Sequence, residues 1–378
     1  MKIQSRTSKY GIGWHAPEKI SFGDLVSILA AINNGVNCQS LSFVLRIFMA
    51  KKRLFVLIQD YPQLSQTYKE NEIKYLYSDF EVVIGSFESA DLPYKQHYPY
   101  RIIHSMQDVL DIIDEFKPDI IHGHYLHTTD TLHAASKYSG APFTVRSHSF
   151  DIINRSPDYI KRYATFVNSD QCAGMLVFPF LINYLVQCGI HKEKLIADWP
   201  VVDYDRFYDR SPNGKQIMNT GACIPKKNME SFVDLAAKIR NRKFVLYPIG
   251  YLRDELAKYN ASFNNPVEMR ETVEPFDMPA IYKQSEWLVY TANKKIPTVG
   301  WPVAIAEAQA AGVGVLVQRI RPDIEHFIGG AGFVFDELDE AAKILSQPYP
   351  EEMRERGFEN AKRSDIKKNI RKLHALWQ

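Results

Sequence analysis

The chain has 378 residues, with 46 Lys plus Arg against 44 Asp plus Glu, giving a formal charge of +2. At ~100–200 residues per domain this length suggests two domains or three small ones. Hydrophobic residues at 46% and charged residues at 24% exclude a disordered chain, four Cys exclude a disulfide scaffold, and the near-zero charge leaves no nucleic-acid footprint.

Met1–Lys19 is mixed and polar, unlike a charged-then-apolar secretory leader. No stretch reaches the ~18–20 apolar residues that span a bilayer. Two short apolar runs follow, Leu25–Ile32 and Leu41–Met49, the second running into Ala50-Lys51-Lys52-Arg53. The favoured reading is a pair of amphipathic helices packed on the body. The alternative is a peripheral membrane contact through this N-terminal extension. Cys38, Cys172, Cys188 and Cys223 form no CxxC and no zinc spacing, so free thiols in a cytoplasmic protein are expected.

From Leu54 onward, short runs rich in β-branched and aromatic residues alternate with segments of helical spacing. Strands are expected at Leu54–Ile58, Glu81–Ile84, Asp119–His122, Phe143–Val145 and Met175–Phe178. Helices are expected between them, at Gln66–Tyr77, Val109–Phe116 and Thr129–Lys137. The rhythm pauses over Trp199–Asn213 and restarts with a strand at Gln216–Gly221 and a helix at Met229–Arg240. Further strands follow at Lys243–Ile249, Val267–Glu271, Trp287–Thr291 and Val313–Val317, and Pro350–Gln378 is helical. Fully apolar strands alternating with helices indicate an α/β protein of two doubly wound parallel sheets. The expected division is an N-terminal extension (1–52), a first Rossmann-like domain (53–210), a second (211–345) and a C-terminal helical segment (346–378). Facing halves of this kind enclose a cleft lined by strand carboxyl ends.

The familiar phosphate loops and hydrolase motifs are absent: no GxxxxGK[ST], no HExxH, no GxSxG. Five strings stand out instead. They are Tyr61-Pro62-Gln63-Leu64-Ser65, Pro118-Asp119-Ile120-Ile121-His122-Gly123-His124, Arg146-Ser147-His148-Ser149-Phe150-Asp151, Gly221-Ala222-Cys223-Ile224-Pro225-Lys226-Lys227 and Gly300-Trp301-Pro302-Val303 through Glu307 to Gly312. In this order, over about residues 53–340, they resemble the retaining, nucleotide-sugar-dependent glycosyltransferases of GT-B fold, glycosyltransferase family 4-like, that build bacterial polysaccharide and lipopolysaccharide.

The resemblance implies a hexosyl-transferring enzyme with a nucleotide-sugar donor, a glycan or lipid-linked acceptor, and retention at the anomeric carbon. It implies no metal or other cofactor. Lys227 matches the family lysine on the diphosphate, Glu307 the glutamate on the ribose hydroxyls, and His148 the histidine near the reacting centre. Ser65, Gly221, Gly300, Trp301 and Val303 fall in loops that approach the nucleotide sugar, and a helix start after Pro302 would face its phosphates. Two positions depart from the pattern: Val299 stands where a sugar-contacting glutamate is usual, and Ala222 where a phosphate-contacting arginine is usual. Arg319 and Arg321 are expected to restore the missing charge. His122, His124 and His127 suggest a metal cluster, but no nearby acid completes it. Asp151 is assigned a structural role near the domain surface. The departures leave two alternatives, a catalytically weak scaffold subunit and a nucleotide-sugar epimerase of the same fold.

Overall fold

The computed structural model describes residues 51–378. The expectations for Leu25–Ile32, Leu41–Met49, Cys38 and a membrane contact by the N-terminal extension therefore lie outside the described residues. No described helix is long and apolar enough to cross a membrane.

The first half is built on β1 (Arg53–Tyr61), β2 (Glu81–Ser89), β3 (Arg101–Ile102), β4 (Ile120–His124), β5 (Phe143–Arg146), β6 (Cys172–Val177) and β7 (Leu195–Ala197). Their spatial order is β3-β2-β1-β4-β5-β6-β7 and every pairing is parallel. The second half carries β8 (Gln216–Ala222), β9 (Phe244–Ile249), β10 (Val267–Met269), β11 (Ser285–Tyr290), β12 (Gly314–Gln318) and β13 (Phe333–Phe335). Its order is β10-β9-β8-β11-β12-β13, again parallel throughout.

Strand β1 shows why its sequence reads as one unbroken apolar run. Phe55 and Leu57 point into a core with Val109, Ile112 and Ile113, while Leu54, Val56 and Ile58 point into another with Ile73 and Leu76. Side chains alternate across a strand, so a sheet covered on both faces needs apolar residues at every position. The Met106–Phe116 helix supplies one cover, started by a reciprocal cap in which Ser105 and Asp108 each accept a backbone N–H. Strands β3, β7 and β13 are two or three residues long, too short to show a period, and the sequence pattern does not announce them.

The chain crosses between the halves twice. Residues 198–215 carry it over, and residues 361–366 bring it back alongside, Val202 N–H donating to the Ser364 carbonyl and Ile366 N–H to that of Val202. The C-terminal stretch is consequently two helices, Glu351–Ala361 and Ile366–Leu376, split by a 3-10 turn at Lys362–Ser364. The first buries Phe358 and Ala361 and packs on the Val303–Ala310 helix of the second half. The second returns to the first half, where Ile366, Ile370, Leu373 and Trp377 complete the core beneath Leu54, Val56 and Ile58. The strand order reverses between β1 and β4 and between β8 and β11. The carboxyl ends beside these two reversals open toward one cleft, as two Rossmann-like halves require.

Leu373 is fully buried in that returning helix. Leu373→Ala should cost about 2–5 kcal/mol of unfolding free energy, read from denaturant midpoints. A loss near zero would mean that the helix is not part of the first core.

Candidate functional site

The cleft holds a cavity of about 1120 Å³, open mouth included, lined from both halves. Its first wall is made by the loops that leave β1 and β5, and Ser65, Tyr68, Ser147 and His148 line it. Asp151 holds this wall together from below. It is fully buried, not near the surface, and accepts from Leu126 N–H at 2.7 Å, Ser147 Oγ at 3.0 Å and His148 N–H at 3.1 Å. Burial raises the Asp151 carboxyl pKa, and those three bonds work against the rise. The loops after β4 and β5 are thereby tied to one carboxylate.

Beneath His148 lies a charged network. His148 Nε2 and His124 Nδ1 are 2.8 Å apart with their rings nearly coplanar, at 3°. Glu72, on the Thr67–Asp79 helix, meets His122 Nε2 at 2.8 Å and His124 Nε2 at 3.5 Å through one carboxylate oxygen. The Arg146 guanidinium approaches the other oxygen at 2.5 Å and also pairs with Asp198, which Lys372 of the C-terminal helix meets at 2.8 Å. Burial alone would raise the Glu72 pKa, but Arg146 and the two histidines hold it well below the carboxylate range. Burial lowers the His124 pKa to about 4, Glu72 offsetting only part, and burial with His124 and Arg146 nearby lowers that of His148. Both rings are therefore neutral at pH 7 beside an ionised Glu72.

Glu72, His122 and His124 bring their donor atoms within 4.8 Å of one another, so the fold provides the acid that the sequence shows no sign of near these histidines. Arg146 already balances the Glu72 charge, however, and a divalent cation there would face a guanidinium in a fully buried space. The set is better described as a charge-balanced hydrogen-bond network than as a metal centre.

The second wall comes from the other half. Gly221 ends β8 with φ at +120°, and the half-buried Lys227 ammonium lies over it, 5.4 Å from the centre of the Tyr290 ring. Thr291 Oγ1 donates to the Lys227 carbonyl at 2.9 Å and fixes the turn. Among the described residues the Lys227 ammonium has no hydrogen-bond partner, and burial, with Lys226 adjacent, lowers its pKa to about 8. The Val303–Ala310 helix begins just after Pro302 at the rim of the cavity, whose lining includes Gly300, Trp301, Pro302 and Val303, and the first N–H groups of a helix lack partners within it. Glu307, on the same helix, accepts from the Tyr282 hydroxyl at 2.9 Å. Burial raises its pKa; Arg206, Tyr282 and Lys227 oppose that.

Ser65, His148, Gly221, Lys227, Gly300, Trp301, Val303 and Glu307 thus meet at one cavity. Trp301 also serves as the joint between the halves, stacking on Phe327 at 5.0 Å and lying 5.5 Å from Phe178 and 4.6 Å from Trp199. Arg319 and Arg321 do not line the cavity. Arg319 pairs with Glu325 at 2.6 Å and Asp336 at 3.0 Å. Arg321 is spent on Asp323, 2.8 Å away, and on the Val299 carbonyl. Their charge is satisfied locally, so they buttress the segment around Val299 and do not replace the cation missing at Ala222. Sequence reasoning passed over Glu72 and Tyr282. The available signal was Lys69 and Glu72 at helical spacing with the apolar Ile73 and Leu76, on a face that is buried.

Residues 214–347 match the family model described as Glycosyl transferases group 1. No curated protein matches the chain. Among solved structures, Anabaena HepE in complex with UDP-glucose superposes with a TM-score of 0.69 at 14% identity, covering 85% of this chain and 98% of that one. Sucrose-phosphate synthase from Thermosynechococcus elongatus gives 0.67 at 12% identity over 86% and 98%. The lipopolysaccharide outer core galactosyltransferase WaaB gives 0.56 at 13% over 84% and 98%. At these identities the likeness establishes the fold, which is GT-B.

A Cβ at Gly221 would sit 2.6 Å from the Lys227 ammonium at a strained φ, whereas one at Gly140, also at positive φ, would meet nothing within 4 Å. Gly221→Ala should therefore destabilise by about 1–3 kcal/mol, and by more than Gly140→Ala, in paired denaturant titrations. Equal losses would show that the ammonium does not crowd Gly221.

Proposed function

We propose that this chain, a group 1 glycosyl transferase by its residues 214–347 and a GT-B protein by its fold, moves a sugar from a nucleotide-sugar donor to a hydroxyl of a glycan or lipid-linked acceptor. The reading includes retention at the anomeric carbon, a role in surface polysaccharide assembly, and no requirement for a metal. The observation that carries it is the convergence of the Lys227 ammonium, the Glu307 carboxylate and the Val303–Ala310 helix start on one interdomain cavity. A glycosidic bond to a diphosphate breaks only if the departing negative charge is stabilised. Lys227 and the helix N–H groups supply that stabilisation from fixed positions. Glu307, held by Tyr282 through one oxygen, offers the other to a ribose diol. HepE is known with UDP-glucose and WaaB acts on lipopolysaccharide, which makes uridine diphosphate sugars the first donors to try.

Val299 and Ala222, with Arg319 and Arg321 engaged elsewhere, favour a second reading, a catalytically weak homologue that has lost its donor site and serves as a scaffold for an active partner. A thermal-shift panel of UDP, GDP, ADP and CMP and their common sugars, with and without Mg²⁺, separates the two. A ligand at ~100 times its dissociation constant adds ~2.7 kcal/mol of apparent stability. Stabilisation by one base, lost in Glu307→Ala, is expected. No shift with any nucleotide would leave the scaffold reading standing. Product anomers by NMR then test retention.

The pH dependence of donor binding follows from Lys227. With a pKa near 8 in the free protein its charge is present below that pH and lost above it. Donor affinity should fall roughly tenfold between pH 7 and pH 9 if only the ammonium binds the diphosphate. The same titration on Lys227→Met should be weaker throughout and flat. A fall of the same size in that variant would assign the effect to another group.

A further inference from the structure

The buried network ends at a ring nitrogen, and a donor that cannot reverse sets the direction in which its contacts are followed. The indole Nε1–H of Trp377 can only donate, and it meets Thr144 Oγ1 at 3.1 Å. With its oxygen accepting from the indole, the Thr144 hydroxyl has its own proton to give to His122 Nδ1, 2.8 Å away, and His122 then presents an Nε2–H to Glu72 at 2.8 Å. His124 Nε2 lies 3.5 Å from the same Glu72 oxygen, within ion-pair range but without hydrogen-bond geometry, so the link between them is electrostatic. Carrying its proton on Nδ1 instead would turn a bare lone pair toward a fully buried carboxylate. With the proton on Nε2, His124 Nδ1 becomes an acceptor, and His148 Nε2, at 2.8 Å, must be the donor.

We infer that Glu72, acting through His124, fixes His148 as the tautomer protonated on Nε2, so that Nδ1 meets the cleft as a bare acceptor for a hydroxyl of a neutral sugar. The inference rests on the transfer reading for its substrate and on the network alone for its tautomer. His148 lines the cavity, and its Nδ1 takes no hydrogen bond from the described residues. The Tyr68 ring lies 4.3 Å from it and holds its plane, while the Tyr68 hydroxyl is engaged with Gln66 at 3.0 Å and Tyr125 at 2.9 Å. Nothing on this wall therefore competes for Nδ1. A hydroxyl can donate to that lone pair, whereas a carboxylate on the sugar would present lone pairs to a lone pair. Glu72 and His124 are positioning residues here, and His148 is the group that touches substrate.

The tautomer can be read on the free, full-length protein by ¹⁵N–¹H correlation of histidine ring nitrogens, with His148 assigned from His148→Asn. The expected result is a protonated Nε2 and an unprotonated Nδ1 on His148. A protonated Nδ1 in the wild-type protein would overturn the inference. His124→Phe keeps a ring in place and removes the relay, and should turn the single tautomer into a mixture; an unchanged spectrum in that folded variant would equally sink the idea. Binding of UDP-glucose and UDP-glucuronate to both proteins tests the substrate class. The wild type should favour the neutral sugar by roughly tenfold, the worth of about one hydrogen bond, and the variant should lose most of that preference. Failure of both ligands to bind would count against uridine donors while the spectrum still decides the tautomer.

Discussion

A carboxylate with no solvent exposure is the constraint around which the first half is arranged. Left alone in a protein interior, the Glu72 charge would cost several kcal/mol, and it is kept only because a guanidinium and two imidazoles close on it. Arg146 in turn bridges Glu72 to Asp198, and Lys372 reaches Asp198 from the C-terminal helix. The partners come from the Thr67–Asp79 helix, from β4, from β5, from the residue after β7 and from the end of the chain. Each must be in place before the charge is balanced. The network therefore fixes the carboxyl edge of the sheet where His148 emerges. Its worth lies in geometry: an apolar core of equal volume would be as stable, but it would not hold an imidazole in one orientation.

The two halves are joined by packing of a different kind. Trp301 is the wedge, its ring against Trp199 and Phe178 of the first half and Phe327 of the second, and its Nε1–H donates to Asp323 at 2.8 Å. Asp323 also holds Arg321, whose guanidinium lies 4.6 Å from the Phe180 ring and bonds the Val299 carbonyl. Gly300, next to the wedge, lies so close to Ser149 that a side chain there would collide with it. The loop that starts the Val303–Ala310 helix is thus gripped on one side by the first half and on the other by Arg321. Val299 places an apolar side chain in this joint, where it is 5% exposed.

Much of the fold was legible because two covered sheet faces demand long apolar strands, and β1, β9 and β11 announce themselves that way. The short edge strands β3, β7 and β13 were not legible, since two or three residues carry no period. The split of the C-terminal stretch into two helices on two halves depends on the pairing of Val202 with Asp365, a contact 163 positions apart that no local pattern encodes. The family strings singled out Lys227, Glu307 and His148, and the fold brings these three to the lining of one cavity. The positive charge of Arg319 and Arg321 was equally visible, but their carboxylate neighbours Asp323, Glu325 and Asp336 decide what it does. The histidines of His122-Gly123-His124 were set aside as a metal cluster for want of an acid, and their actual partners, Glu72 and Arg146, lie 50 residues before and 24 after His122, beyond any local pattern.

The distribution of charge across the cavity assigns the two walls different work. Arg146 and Lys227 are the cationic residues that line it. Arg146 has its charge taken up by Glu72 and Asp198, and the nearby Lys69 is bound to Asp60 at 2.6 Å. Lys227 faces Glu307 across the cavity without a hydrogen bond to it, so its field, added to that of the helix start, is directed into open space. The first wall is therefore electrically quiet and presents oriented hydrogen-bonding groups, whereas the second attracts an anion. A ligand with a neutral polyhydroxylated part and a doubly charged part matches both walls only when it lies across the joint. The distance between the two is set by Trp301 and Gly300, residues that need not touch the ligand at all to determine how it is held.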